Sequence, residues 1–133
     1  MFRLSQKADY GLILLSNLAH SSAQQNQDKP TPISQIAKRN KISAKFLSQV
    51  AGDLKKVGIL KAKEGVSGGY SLAKKPQEIR IVDVLEVLEG RFFEGRCFEG
   101  KCSCICGAKG IWMDMKDQIQ RTLSNKTVAD LIR

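Results

Sequence analysis

The sequence predicts a mainly α-helical protein with one small β-hairpin. Several segments of the 133-residue chain carry apolar side chains at every third or fourth position, which is the period of an α-helix. The glycine-rich stretch 64–69 separates two short strand-like segments, and this pattern is typical of a hairpin. The length allows one domain with a single hydrophobic core, to which a further helix can be appended.

The first helix is predicted to begin after Ser5, which can cap it, and to end near His20. Two neighbouring apolar stripes run along it, so we expect it to be buried on most sides. The polar stretch 21–30 has no periodicity and predicts a surface loop. We interpret His20 as a helix-end residue rather than a metal ligand, because a cation there meets the helix dipole favourably.

Two helices joined by a tight turn are predicted next. Thr31 as the cap and Pro32 as the first helical residue would begin the shorter one, and Asn40 would end it in the left-handed conformation. Ser43 would cap the second helix and Gly58 would end it. The outer side of this second helix carries polar and basic residues: Lys45, Ser48, Gln49, Lys55 and Lys56. Together the two helices predict a helix-turn-helix.

A hairpin follows this helix pair directly, and that element order predicts a winged helix. Its strands are predicted over residues 59–63 and 70–72. Between residues 29 and 63, nine lysines and arginines accompany a single acid, Asp53, and the whole chain has a net charge of +9. Such an excess would attract the phosphates of double-stranded DNA, although an ordinary solvated basic face is the alternative interpretation. No apolar run is long enough to span a bilayer, and no membrane partner is predicted.

The C-terminal third is predicted to contain two more helices. The inner face of a fourth helix, which ends at Gly90, consists of Ile81, Val84, Leu85 and Leu88. A later helix of three to four turns carries an apolar stripe: Ile111, Trp112, Met115, Ile119 and Leu123. This stripe either completes the core or binds a partner subunit. Thr127 and Asp130 resemble a capping box that begins a last short turn.

All four cysteines lie within residues 97–106, at Cys97, Cys102, Cys104 and Cys106. Clustered thiolates suit one compact site for a soft metal or an iron–sulfur cluster. A structural zinc ion remains an alternative, because this stretch alone does not separate iron from zinc. Disulfides fit less well, since the last three cysteines alternate too tightly to bridge without strain. Inert thiols would be scattered along the chain.

Catalysis and export are not predicted. The only histidine is His20, and no base stands beside a plausible nucleophile. Asp9, Ser16 and Asn17 interrupt the apolar segment that a signal peptide would need. A cytoplasmic location suits free metal-binding thiols, because that compartment is reducing.

Four local motifs occur in order along the chain. They are Arg3-Leu4-Ser-x-Lys7-Ala-Asp9-Tyr10, Ile33-Ser-Gln-Ile36-Ala37 before Ile42-Ser43-Ala-Lys-Phe46-Leu47-Ser-Gln49, Gly65-Val-Ser-Gly68-Gly69-Tyr70-Ser-Leu72, and Val128-Ala129-Asp130-Leu131. With this spacing the chain resembles the IscR and NsrR family of bacterial iron–sulfur winged-helix regulators over nearly its whole length. The resemblance implies a homodimer joined by the long C-terminal helix, with two recognition helices on a pseudo-palindromic DNA operator. It also implies a [2Fe–2S] or [4Fe–4S] cluster beside the helices that set their spacing.

The resemblance implies a set of cluster ligands as well. Cys97, Cys102 and Cys106 are expected ligands, with either Cys104 or Asp9 of the partner subunit as the fourth. Lys109 stands where the IscR branch has its histidine ligand. Asp9 stands where the nitric-oxide-sensing branch has an acidic ligand, but it equally suits a first-turn acid stabilised by the helix dipole.

The predicted DNA contacts lie on the recognition helix and the wing. Gln49 is the best candidate to read an adenine by two hydrogen bonds in the major groove. Relatives often carry Arg where this chain has Glu64, and a carboxylate is disfavoured in the electronegative minor groove. The other predicted contacts, to bases, to phosphates or within the wing, are Ser5, Lys7, Ser43, Lys45, Ser48, Lys55, Ser67, Gly68 and Tyr70.

These expectations divide the chain into three regions. Residues 1–90 would form the winged helix-turn-helix domain, 91–109 the cluster-binding loop and 110–133 the dimerisation helix with its terminal turn. The predicted function is a dimeric transcriptional regulator that senses iron–sulfur status, redox state or nitric oxide. The alternatives are a zinc-bound or thiol-redox regulator without a cluster, and a small iron–sulfur electron carrier.

Overall fold

The computed structural model describes residues 5–24, 29–90 and 107–132. Over these ranges it contains five α-helices, one two-stranded antiparallel sheet and two short 3₁₀ helices. The helices are α1 (Gln6–Gln24), α2 (Ile33–Asn40), α3 (Ala44–Lys56), α4 (Ile81–Glu89) and α5 (Gly107–Ser124). The strands are β1 (Leu60–Lys63) and β2 (Gly69–Leu72), and the 3₁₀ helices are Pro76–Glu78 and Val128–Ile132. The predicted fold class is confirmed.

Helix α1 lies in the core and packs against α3, α4, β2 and the last 3₁₀ helix. Its buried residues are Ala8, Gly11, Leu14, Leu15, Leu18 and Ala19, which confirms the prediction that most of its sides are covered. Gly11 allows the close approach of α4, because a Cβ at this position would lie 2.2 Å from Cδ1 of Leu88. The helix continues past His20 to Gln24. The predicted end at His20 was therefore too early.

The turn between α2 and α3 differs from the prediction at its first residue. Lys41, not Asn40, takes the left-handed conformation, with φ of 55°. Asn40 remains helical, and its side-chain Nδ2 donates a hydrogen bond to the carbonyl of Ile36 at 2.8 Å within the same helix. At the other end of the turn Ser43 caps α3 as predicted, since its Oγ accepts a hydrogen bond from the amide of Phe46 at 3.2 Å.

The start of α2 also differs from the prediction. Thr31 is not its N-cap, because its backbone pairs with Tyr70 through two hydrogen bonds of 2.9 Å. Pro32 takes the cap position and makes no side-chain cap hydrogen bond. Thr31 therefore extends the hairpin by one bridge, and this bridge joins the wing to the helix-turn-helix.

The hairpin is anchored at its base and turns at Gly65–Gly68. Leu60 pairs with Leu72 at the base, and both side chains are buried. Lys63 pairs with Gly69 at the other end, before the turn. Gly69 has φ of 154°, and a Cβ there would lie 2.4 Å from the carbonyl of Thr31. Only glycine fits this position without moving the backbone.

The C-terminal segment returns to the core. The amide of Val128 donates to the carbonyl of Ile79 at 2.9 Å, and its side chain is fully buried. Asp130 accepts a hydrogen bond from the amide of Thr127 at 2.8 Å, which is one half of the predicted capping box. The last 3₁₀ helix also contacts α1, where Oγ of Ser16 donates to the carbonyl of Leu131 at 3.3 Å. This terminal turn completes the core.

Candidate DNA-binding interface

Helix α3 has one apolar side and one polar side. Leu47, Val50, Ala51 and Leu54 are completely buried. The side chains predicted to read DNA are exposed on the other side: Lys45, Ser48, Gln49 and Lys55. Ser43 is exposed at the N-terminal end of the same helix. The structure therefore brings these five predicted residues together on one accessible helix surface, which has the chemistry of a recognition helix.

The first turns of α1 hold α3 in place. The rings of Tyr10 and Phe46 meet edge to face with centroids 5.1 Å apart, which is a favourable aromatic geometry. Nearby, Nζ of Lys7 lies 2.9 Å from Oδ2 of Asp53. This hydrogen bond lowers the pKa of Asp53 below its ordinary value of 3.8, because it stabilises the ionised carboxylate. Ser5 also belongs to this turn: its Oγ accepts from the amide of Ala8 at 3.1 Å and donates to the carboxylate of Glu89.

The wing lies beside α3 and leaves a cleft of about 540 Å³. Lys55 of α3 lines one side of this cleft, and Lys63 and Tyr70 of the wing line the other. A second cleft of about 410 Å³ lies between the end of α1, the start of α2 and the wing turn, where Ser67 and Gly68 contribute to its lining. Two of the predicted wing residues have structural roles, because Tyr70 pairs with Thr31 and a Cβ on Gly68 would lie 2.3 Å from the carbonyl oxygen of Lys63.

Helix α5 carries the apolar stripe that was predicted to complete the core or bind a partner. None of its residues from 107 to 124 is buried. Ile111 is 67% exposed and Trp112 is 44% exposed, while Met115, Ile119 and Leu123 are partly covered. This stripe is a candidate subunit interface, because it is apolar and the described part of the chain covers it only in part.

Of the predicted metal ligands, the structure describes only Asp9. The four cysteines, at residues 97–106, lie outside the described residues. Asp9 is exposed in the first turn of α1. Within the described ranges no group of three or more His, Cys, Asp or Glu side chains could hold a metal ion. Four thiols and a carboxylate have the donor chemistry of an iron–sulfur or zinc site.

Two contacts of this site were not predicted from the sequence. Lys7 was predicted to touch phosphate or pack the wing, but it forms an ion pair with Asp53. Phe46 was not singled out, although it packs on Tyr10. One feature of the sequence could have indicated the ion pair: Asp53 is the single acid in the basic stretch 29–63, which suggests that it pairs with a nearby cation. Sequence separation hides the partner, because Lys7 and Asp53 lie on different helices.

The helix-turn-helix, the adjoining hairpin and the exposed basic side of α3 define a winged-helix DNA-binding protein. Comparison with known proteins identifies its family. Residues 4–133 match Rrf2, described as "Iron-dependent Transcriptional regulator". The chain belongs to this family of DNA-binding transcriptional regulators. Its relatives are named as regulators rather than enzymes, which confirms the prediction that the chain is not an enzyme.

Individual relatives resemble the chain over nearly its full length. Protein Rrf2 of Nitratidesulfovibrio vulgaris is 32% identical over 98% of this chain and 87% of the relative. IscR of Pectobacterium atrosepticum is 31% identical over 98% of this chain and 79% of the relative. The solved structure of CymR, the global cysteine regulator of Bacillus subtilis, aligns with a TM-score of 0.82 at 30% identity, over 98% of this chain and 96% of CymR.

IscR of T. potens aligns with a TM-score of 0.77, also at 30% identity, over 98% of this chain and 85% of that structure. The predicted resemblance to IscR regulators is therefore confirmed. Within residues 5–24, 29–90 and 107–132, no helix has both the length and the apolarity needed to cross a bilayer.

Proposed function

We propose that the chain is a cytoplasmic, homodimeric regulator that reads a pseudo-palindromic operator with α3 and senses iron–sulfur status, redox state or nitric oxide through its cysteines. The observation that carries the DNA part is the exposed side of α3, where Lys45, Ser48 and Gln49 are accessible beside the wing. The apolar stripe of α5 supports the dimer. A dimer of winged helices would present two recognition helices to two half-sites.

Gln49 is the residue that we assign to base reading. Its amide can donate to and accept from an adenine edge at once, whereas Lys45 and Lys55 supply charge that acts on phosphates of any sequence. We expect Gln49→Ala to weaken binding to the operator by about 1–3 kcal/mol and to leave binding to unrelated DNA nearly unchanged. Titration of both duplexes at one salt concentration measures this difference.

A matched control is Gln77→Ala, because Gln77 is exposed outside α3 in the 3₁₀ helix Pro76–Glu78. The control should bind both duplexes like the wild type. Equal losses on operator and unrelated DNA for Gln49→Ala would contradict base reading by this residue.

Cys97, Cys102 and Cys106 are the three cluster ligands in our proposal, with Cys104 or Asp9 of the partner subunit as the fourth. The exposure of Asp9 in the first turn of α1 is compatible with that role. When bound, an iron–sulfur cluster would supply iron that reacts with oxygen or nitric oxide. If the cysteines prefer the cluster in one of two dimer geometries, ligation shifts DNA affinity by the same coupling free energy, typically about 1–3 kcal/mol.

The cluster is tested by the visible absorption spectrum of anaerobically purified protein, with iron, sulfide and zinc counted on the same sample. We expect matched iron and sulfide, loss of the absorption in Cys106→Ala, and a changed operator affinity in that variant. Unchanged affinity after loss of the cluster would rule out the switch. Comparison of Cys104→Ala with Asp9→Asn identifies the fourth ligand, because only the substitution that removes this ligand should alter the absorption spectrum.

A thiol switch or zinc site is the second candidate function. It is favoured by the similarity to CymR, since a solved structure of Staphylococcus aureus CymR in its oxidised form aligns with a TM-score of 0.74 at 28% identity. A colourless protein with stoichiometric zinc, or with thiols whose oxidation alone changes operator affinity, would establish this alternative.

A further inference from the structure

We propose that the ion pair between Lys7 and Asp53 positions the recognition helix for operator reading, so that Lys7 acts on α3 and not on a DNA phosphate. The proposal rests on the proposed function, because it concerns how the same DNA surface is held. In this proposal Lys7 holds α3, whereas the sequence predicted that it touches phosphate or packs the wing.

Helix α1 contacts α3 along one face, through residues 46, 50 and 53. Phe46 packs edge to face on Tyr10, and the backbone of Gly11 lies close enough that a Cβ there would be 3.6 Å from Cγ1 of Val50. Asp53 continues the same face, because residues spaced by four and three lie above one another on a helix. The ion pair with Lys7, at 2.9 Å, is therefore the third contact of one interface.

The three contacts restrain α3 at different points along its length. The aromatic and aliphatic contacts hold its first two turns against α1. A directional ion pair near its C-terminal end opposes rotation of the helix about its own axis. Because Ser48 and Gln49 lie between these contacts along α3, a rotation of the helix would turn them away from the base edges.

The turn that carries Lys7 is itself fixed. Ser5 caps it by accepting from the amide of Ala8 at 3.1 Å, and the same hydroxyl donates to the carboxylate of Glu89 at the end of α4. Lys7 therefore extends from a backbone that is tied to a third helix. These contacts fix the backbone from which the side chain of Lys7 reaches Asp53.

The charges of the surface agree with this role. Asp53 is the one acid among residues 29–63, and an unpaired carboxylate near DNA phosphates would oppose binding. The ion pair with Lys7 balances the charge of the Asp53 carboxylate. A lysine used in this way contributes little net attraction for phosphate, so its removal should change operator reading more than general DNA affinity.

The experiment compares Lys7→Met, Asp53→Asn and the exchanged double variant Lys7→Asp/Asp53→Lys. The probes are a duplex selected by the wild-type protein from a random pool and a scrambled duplex of the same length and composition. The readout is the dissociation constant for the scrambled duplex divided by that for the selected duplex. General changes of net charge affect both constants alike and cancel in this ratio. We expect both single variants to lower this ratio by about three- to tenfold, and the exchanged variant to restore most of it.

Asp83→Asn is the matched control. Asp83 pairs with Arg80 at 2.9 Å at the start of α4, so its substitution removes the same charge as Asp53→Asn without touching α3. The control should leave the ratio unchanged. The salt dependence gives a second readout, because loss of a phosphate contact lowers the slope by about one per contact, whereas a positioning role leaves it unchanged.

Three outcomes would overturn the inference: an unchanged or raised ratio in Asp53→Asn, no recovery in the exchanged variant, or a reduced salt slope in Lys7→Met with equal losses on both duplexes. These outcomes leave the proposed function intact, because the wild type still selects a sequence. If the wild type enriches no sequence from the pool, the proposed function itself is overturned, and this inference fails with it.

Discussion

Helices α3 and α5 are both amphipathic, yet among the described residues only α3 buries side chains completely. Helix α3 has 13 residues and buries four of them. Helix α5 has 18 residues and buries none. The comparison shows that an apolar stripe predicts burial but does not say against what. The partner surface of α3 is formed by α1, α2, α4 and β1, whereas Ile111 and Trp112 of α5 remain exposed.

The largest expected effect tests whether the apolar stripe of α5 forms the subunit interface. We expect Ile119→Asp to raise the dimer dissociation constant by about a hundredfold or more, because it would place a carboxylate in an apolar interface on both subunits. Light scattering after gel filtration measures the change in mass. The helical circular dichroism of the variant should persist, since residue 119 is not part of the buried core.

Val57→Asp is the control for this substitution, because Val57 is a similarly apolar side chain that is 52% exposed at the end of α3. It should remain dimeric. A monomeric wild type, or a dimer that survives Ile119→Asp, would show that α5 is not the subunit interface and would remove the contrast between the two helices.

An intermediate effect sharpens the same comparison within one subunit. Leu47→Ala in α3 should lower the free energy of unfolding by about 2–5 kcal/mol, because it opens a cavity at a completely buried position. Leu123→Ala in α5 should cost clearly less at low protein concentration, since Leu123 is only partly covered. Urea unfolding of both variants measures the difference. Equal losses would mean that α5 belongs to the core.

The smallest effect concerns the polar edge of α3. The folded state lowers the pKa of Asp53 through the hydrogen bond from Lys7 and the charges of Lys7 and Lys56. The stability that this contributes is complete above the ordinary value of 3.8 and is lost as the pH falls through the lower folded value. We therefore expect Asp53→Asn to be less stable than the wild type at pH 7, with the gap closing below pH 3.8. A gap that persists in strong acid would contradict an electrostatic origin.

Much of the fold could be predicted from local chemistry. Ser43 and Gly58 act through their own backbone neighbourhood, so their roles were visible in the sequence, whereas Gly69 is required by the backbone of Thr31, which lies far away in the chain. The wrong predictions at Thr31 and Asn40 have different causes. Thr31 pairs with Tyr70, which lies far away in the chain, whereas the side-chain amide of Asn40 donates to Ile36 one turn earlier in the same helix.

The candidate site divides in the same way. The exposed polar side of α3 follows from the period of the helix, and the grouping of the four cysteines is a property of the sequence itself. The pairing of Lys7 with Asp53 and the hydrogen bond from Ser5 to Glu89 join residues far apart in the chain. No spacing rule relates them, because the packing of α1 on α3 and α4 decides which side chains meet.

By itself, the sequence determined the order of helices and hairpin, the basic surface and the clustered thiols, because periodicity, capping and charge act over a few residues. Only the tertiary structure decided that the terminal turn fills the core through Val128 while α5 leaves its stripe partly exposed. The physical reason is that burial is a property of two surfaces. A sequence pattern describes one surface, and the fold supplies the other.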